Sequence, residues 1–194
     1  MSDMPVAEKQ KIKLDPAFLT KLTAILLGIC AVVALLLGVV NSVTEPIITQ
    51  MQKEKTDKAM AQVLKAESYT AVETKVEGVA AVYMAVSGGQ TVGYVVEVAP
   101  NGFGGAINMV VGVDMNGAVT GVAVTKDAET ANVGTKVTRD QSVLDQFLGM
   151  SHAAGEITVN SGSNRFDAVS GATVSSKAVT AGVNAALAAV ADVA

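Results

Sequence analysis

The sequence predicts an α+β protein, with one N-terminal transmembrane helix followed by a small antiparallel sheet that carries a helix upon it. Three observations lead there. A single apolar run occupies residues 22–44, two pairs of β-branched runs are each joined by a glycine-containing turn, and a stripe of small and apolar residues extends from Val174 to Val190.

The apolar run is the plainest element. Leu22 to Thr44 contains no charged side chain, and Leu22 to Val40 is almost entirely Leu, Ile, Val, Ala and Gly. At about 1.5 Å of rise per residue it is long enough to cross a hydrocarbon core of about 30 Å. A cleaved secretory signal would have an apolar region of about 7–15 residues and a small-x-small site. Asn41-Ser42-Val43-Thr44-Glu45 offers no such site, and Cys30, preceded by Ile29 within the run, is no lipoprotein cysteine. The run therefore reads as a retained anchor. Lys9, Lys11, Lys13 and Lys21 precede it, and the first basic residue beyond it is Lys53. That bias puts the N-terminus in the cytoplasm and the remainder outside the cell (inner) membrane. The expected organisation is a cytoplasmic tail over 1–21, a transmembrane helix over 22–44, a stem helix or linker over 45–74 and an extracytoplasmic domain over 75–194.

Composition narrows the chemistry. The 194 residues include one cysteine and no tryptophan, and the formal charge is -4. A lone cysteine inside the span forms no disulfide within the chain, so the exported domain must stand on its apolar core. Residues 45–194 carry ten basic and fifteen acidic side chains, a balance that argues against a nucleic-acid partner.

Pro46 marks the exit from the membrane, and Ile47 to Ala66 reads as an amphipathic stem helix with Ile47, Met51, Met60, Val63 and Leu64 as its apolar members. Val79–Val86 and Thr91–Ala99 flank Ser87-Gly88-Gly89-Gln90, which predicts a hairpin. Ile107–Asp114 and Ala118–Thr125 flank Met115-Asn116-Gly117, and Asn-Gly is among the strongest short hairpin signals. Between the hairpins lies the glycine-rich loop Pro100-Asn101-Gly102-Phe103-Gly104-Gly105. A short helix is expected over Ser142–Leu148, a strand over Ile157–Val159, and a final helix whose stripe is Val174, Ala178, Val179, Val183, Ala186, Leu187 and Val190.

The chemistry-bearing segment is Asp167-Ala168-Val169-Ser170-Gly171-Ala172-Thr173-Val174-Ser175-Ser176-Lys177. A glycine turn places a threonine hydroxyl at the mouth of the final helix, where N–H groups converge and the helix dipole favours a phosphate. The plainer reading of Ser170 to Thr173 is an ordinary helix N-cap. His152 is the only histidine, with no second ligand for a metal and no nucleophile at recognisable spacing, so it reads as a solvated loop residue.

Three patches resemble the FMN-binding domain family, and within it the G subunits of Rnf-type ion-translocating oxidoreductase complexes, which are related to the C subunits of Na+-translocating NADH:quinone reductases. Gly102-Phe103-Gly104-Gly105-Ala106-Ile107 is similar to that family's Gly-aromatic-Gly-Gly-small-Ile loop. Glu129-Thr130, with Gly134 and Lys136, stands where the family has His-x-Glu-Thr-Pro-Gly-Leu-Gly, with Asp127 at the histidine position and Ala131-Asn132 in place of proline and glycine. Asp167 through Thr173 satisfies the flavinylation pattern of Asp, two residues, Ser or Thr, then Gly-Ala-Thr.

The resemblance implies FMN held covalently by a phosphoester to Thr173, placed there by a flavin transferase that uses FAD. It implies that Ser170, Gly171 and Ala172 shape the site, that Ser175, Ser176 and Lys177 assist the phosphate, and that Asp167 serves transferase recognition or caps the Val169-Ser170 turn. A flavin ring needs a flat apolar wall with polar groups at its edge. Phe103, Gly104 and Gly105 are candidates for the wall, and Glu129 and Thr130 for the edge. Phe103 is equally readable as a loop anchor over the sheet, and Gly104-Gly105 as a bulge. The implied role is electron transfer within a ferredoxin/NAD oxidoreductase complex that moves Na+ or H+, with other membrane and peripheral subunits as partners. Alternatives that stay open are a cofactor-free assembly module, an FMN carrier of another extracytoplasmic electron-transfer system, and a secreted ligand-binding protein.

Overall fold

The computed structural model describes residues 16–194, so most of the expected cytoplasmic tail lies outside the described residues. Two units divide the chain near residue 50. Residues 16–50 of the first are helical throughout and belong to α1 (Pro16–Val63), which is long and apolar enough to cross a membrane. Helix α1 continues through Pro46, whose ring nitrogen has no hydrogen to give the carbonyl of Ser42. The stem expected from Ile47 is helical as far as Val63, although the apolar spacing slips near Lys55.

The second unit is built on a five-stranded antiparallel sheet in the order β1 (Ser68–Val72), β2 (Val79–Ser87), β3 (Gln90–Val98), β4 (Asn108–Asp114) and β5 (Val119–Lys126). The two expected hairpins are β2–β3 and β4–β5. Gly88 (φ 58°) and Gly89 (φ 76°) turn the first, and Gly117 (φ 76°) turns the second, all in the left-handed region that glycine enters without steric cost. Strand β1 falls where the sequence predicted linker. It is a short edge strand with no residue fully buried, so it carries no alternating pattern to read.

Both faces of the central strands are covered. Period-2 alternation sends Val96, Val98, Met109, Val111, Val113 and Val122 to one face, where α4 (Thr173–Val193) packs with Val179, Val183 and Ala186 fully buried. Burial of each such valine or methionine contributes roughly 1.5–3 kcal/mol relative to exposure. Gly182 lets α4 approach closely, since a Cβ there would lie 2.9 Å from the Pro100 ring. Helix α4 is itself long and apolar enough to span a membrane, but its burial on the sheet makes it a core helix.

The opposite face receives the end of α1. Ala59, Met60 and Val63 pack on Val95, Val110 and Ala123. Gly112 and Gly121, paired across β4 and β5, leave room for it, because a Cβ on Gly121 would meet Val63 Cα at 2.9 Å. The last carbonyls of the helix are capped by side chains: Thr120 Oγ1 donates to Val63 O (2.7 Å), and Tyr69 Oη donates to Leu64 O (2.6 Å). Met60 and Val63 behave as the expected apolar stem members, whereas Ile47 and Met51 are exposed.

Between β5 and α4 the chain is compact but irregular. Helix α2 (Thr135–Arg139) was not anticipated, being too short to show a period. The helix expected over Ser142–Leu148 is α3 (Gln141–Leu144) running into a 3-10 turn (Asp145–Phe147). Strand β6 (Thr158–Val159) pairs in parallel with β7 (Arg165–Phe166), and the Phe166 ring stacks on Phe147 with centroids 4.5 Å apart.

Candidate functional site

The mouth of α4 is open. Gly171 turns the chain with φ 79°, Ala172 occupies the N-cap position, and no side chain among the described residues caps the helix. The plain N-cap reading of Ser170 and Thr173 is therefore not what the fold uses. Thr173 is the first helical residue and is exposed, at the end of the helix whose first-turn N–H groups no helix can satisfy internally.

Beside this mouth lies a cleft of about 470 Å³. Gly171 through Ser175 form one side, and Phe103, Glu129, Thr130, Val133 and Gly134 supply the rest. Phe103 is 73% exposed, and Val174 and Val133 are also exposed, at 52% and 41%. Phe103 is thus no anchor over the sheet. Three bare apolar side chains around one hydroxyl-bearing helix mouth describe a site suited to a flat apolar group that carries an anion.

The base of the site is a buried carboxylate. Glu129 is 7% exposed, and each of its oxygens takes one donor: Gly104 N–H gives to Oε1 (3.1 Å) and Ser175 Oγ gives to Oε2 (2.6 Å). It links the glycine-aromatic loop to the first turn of α4. Three glycines make room for it or its neighbours. A Cβ on Gly102 or Gly134 would collide with a Glu129 oxygen, and one on Gly104 would collide with the Ala128 carbonyl.

The segment around Glu129 departs from the family pattern and is tied down by bonds of its own. Asn132 stands where that pattern has glycine and adopts φ 61°, a conformation that asparagine tolerates better than most side chains. Asp127 accepts from Glu129 N–H (3.3 Å) and pairs with Arg139 (3.2 Å), which ties this segment to α2.

Of the residues singled out from sequence, the fold brings Phe103, Glu129, Thr130, Gly171, Ala172, Thr173 and Ser175 to the cleft. The others stand elsewhere. Gly104 and Gly105 shape the adjoining turn, in which Gly102 N–H donates to Gly105 O. Ser170 and Lys177 are exposed and do not line the cleft. Ser175 spends its hydroxyl donor on Glu129, and Ser176, which accepts from Val169 N–H, is fully buried, so neither hydroxyl is presented to a phosphate in the cleft. Asp167 caps nothing in the Val169-Ser170 turn, because its carboxylate pairs with Arg165 at 2.8 Å. Sequence reasoning missed Val133 altogether and assigned Val174 to the buried stripe. The available signal was position, since Val174 is the first member of that stripe and sits before the helix reaches the sheet.

Comparison with known proteins agrees with this geometry. The family model described as FMN-binding domain matches residues 102–188. The G subunit of the sodium-translocating ferredoxin:NAD(+) oxidoreductase complex of Acetobacterium woodii is 36% identical, over 91% of this chain and 93% of that protein. The G subunit of the ion-translocating oxidoreductase complex of Methanosarcina acetivorans is 33% identical, over 89% and 95%. The proton-translocating counterpart of Clostridium ljungdahlii is 31% identical, over 81% and 84%. Among solved structures, the C subunit of the sodium-translocating NADH-quinone reductase of Parabacteroides distasonis shares the fold, with a TM-score of 0.54 at 17% identity over 73% of this chain and 91% of that one. Sequence likeness over nearly the whole length, with a matching FMN-binding domain around the open helix mouth, places this chain in the family of ion-translocating oxidoreductase complex G subunits.

Proposed function

We propose that the protein is a membrane-anchored electron-transfer subunit of an Rnf-type ferredoxin/NAD oxidoreductase complex, and that it carries FMN as a phosphoester on Thr173. The observation that carries this reading is the placement of the Thr173 hydroxyl at an uncapped helix N-terminus, on the edge of a cleft walled by exposed apolar side chains.

The residues fit the group. First-turn N–H groups of α4 hold a monoanionic phosphodiester, for which the helix end supplies partial positive charge. Phe103, Val133 and Val174 seat the ring, and Thr130 meets its edge. Glu129 acts one layer below, fixing loop and helix relative to each other. The flavin, when bound, supplies electron exchange in single steps or pairs. Covalent attachment keeps it from being diluted outside the cell. No further catalytic group of this chain is invoked, and the redox partners are the other membrane and peripheral subunits of the complex.

The span lies within residues 22–44, and the lysine bias orients the N-terminus to the cytoplasm with the flavin domain outside. Maturation then requires an exported flavin transferase. The deciding experiment is intact mass and in-gel flavin fluorescence of the denatured protein, co-expressed with a flavin transferase, for wild type and Thr173→Ala. The expected result is a gain of one FMN less one water in wild type only. An unmodified wild type on the correct side of the membrane would sink the proposal and leave a cofactor-free assembly module as the better reading.

A further inference from the structure

The stretch before Thr173 is not a free loop. Its three consecutive N–H groups are each held by a side chain from a different element. Asp167 N–H donates to Gln146 Oε1 (2.9 Å), Ala168 N–H to Asn160 Oδ1 (2.8 Å) and Val169 N–H to Ser176 Oγ (3.3 Å). Gln146 closes the first of these into a pair, its Nε2 donating to Asp167 O (3.4 Å). The two ends are anchored in the core. Phe166 is fully buried against Phe147, and Ala172 is 4% exposed with its N–H on Val169 O (3.0 Å). Asn160 adopts φ 60° to reach its partner, and its own N–H donates to Phe166 O (2.9 Å). Between these anchors, Asp167, Ser170 and Thr173 remain exposed.

Side-chain hydrogen bonds from three separate elements fix a backbone that no strand or helix would otherwise fix. The entropic cost of ordering the segment is met in folding and is not left for a later encounter. We infer that Gln146, Asn160 and Ser176 are positioning residues for flavinylation: they hold residues 167–172 as a rigid arch, so that the transferase reads a folded surface in which the Asp167 carboxylate and the Thr173 hydroxyl already stand in fixed relation. The determinant of modification is then three-dimensional and extends beyond the local pattern to residues of the 3-10 turn, the end of β6 and α4. This inference rests on the covalent reading above. In the reaction it concerns, Thr173 Oγ forms a bond to the FMN phosphorus of FAD, the pyrophosphate bond breaks, and AMP leaves as the threonine hydroxyl gives up its proton.

The test follows adduct formation over time in the full-length protein with purified transferase and FAD. Gln146→Ala, Ser176→Ala and Asn160→Gly each remove one acceptor, and glycine keeps the backbone angle that Asn160 needs. Asn160→Asp retains the oxygen and serves as the rescue. Hydrogen exchange at the amides of 167–169, measured in the Thr173→Ala background, reports the arch without any flavin. The expected result is faster exchange at those amides with the rest of the domain still protected, modification slowed by about tenfold or more, and a near-normal rate for Asn160→Asp. A peptide spanning residues 167–177 should be modified far more slowly than the protein. Equal rates for the peptide and the protein, or unchanged rates in variants whose arch has loosened, would overturn the inference while leaving Thr173 as the attachment site. A wild-type protein that takes up no flavin overturns the attachment itself.

Discussion

The Ser175 hydroxyl donates to the buried Glu129 carboxylate at 2.6 Å, two residues along α4 from the threonine at its mouth. With the Gly104 N–H on its other oxygen, Glu129 makes the site a single piece built from two distant parts of the chain. Glu129→Ala orphans both donors, at a cost of about 1–3 kcal/mol each. Glu129→Gln keeps an acceptor for Gly104 and should cost less. Gly134→Ala tests the same contact from outside, since its Cβ would lie 2.3 Å from Glu129 Oε2 and 2.9 Å from Ser175 Oγ. Urea denaturation of the three variants should rank Glu129→Gln as the mildest. A Glu129→Ala protein as stable as wild type would show that the carboxylate braces nothing.

Phe103 gives the opposite signature. Because it is 73% exposed, Phe103→Ala should leave stability within about 0.5 kcal/mol of wild type. It should nevertheless change the visible absorption and fluorescence of the attached flavin, because a wall of the ring site is gone. Unchanged spectra would mean that the ring lies elsewhere.

The joint between α1 and the sheet yields a separate prediction. Thr120→Val removes the donor to Val63 O and should cost about 1 kcal/mol. Gly121→Ala pushes a methyl group to within 2.9 Å of Val63 Cα, so the helix end must shift, at about 1–3 kcal/mol. Thermal unfolding measures both, and the flavin spectrum should be untouched because the joint lies on the sheet face away from α4. A spectral change would show that the two faces are coupled.

Alkaline stability should depend on Tyr83. Burial, then the charge and hydrogen bond of Glu97, then Asp57, hold its hydroxyl above the ordinary value of 10.0. The folded protein therefore keeps this proton at a pH where the unfolded chain has released it. The associated stability is whole below about pH 10 and is lost as pH rises through the folded value. Tyr83→Phe should flatten that alkaline decline in a series of denaturation midpoints. Parallel declines for the two proteins would assign the effect to other groups.

What the sequence disclosed follows the range of the interactions involved. Gly88-Gly89 and Asn116-Gly117 declare their hairpins because turn geometry is a local matter. The α4 stripe shows because a sheet covers one side of it for several turns. Strand β1 stayed hidden because an edge strand with one partner and no buried face needs no pattern. The acceptor pattern at Thr173 was legible as a resemblance, yet the duties of its neighbours were not. That Ser175 turns to Glu129, 46 positions away, depends on which residues the fold brings alongside, whereas the Asp167–Arg165 pair is local and lay within reach of the sequence. Asn132 departs from the letters of the motif, and only the folded chain discloses that it takes a left-handed conformation with φ 61°.

The stretch that marks this family and the stretch that folds are different lengths of chain. The match begins at residue 102, after β1, β2 and β3 have already been laid down, and β3 lies in the middle of the sheet. A fragment excised at that boundary would lack the strand against which β4 pairs. One excised at residue 75 would keep β2 to β5 but strip the cover from Val95, Val110 and Ala123. The smallest soluble form that preserves the flavin cleft should therefore begin upstream of Ala59, within what looks from outside like mere tether. For this protein the tether's last turns are a wall of the house.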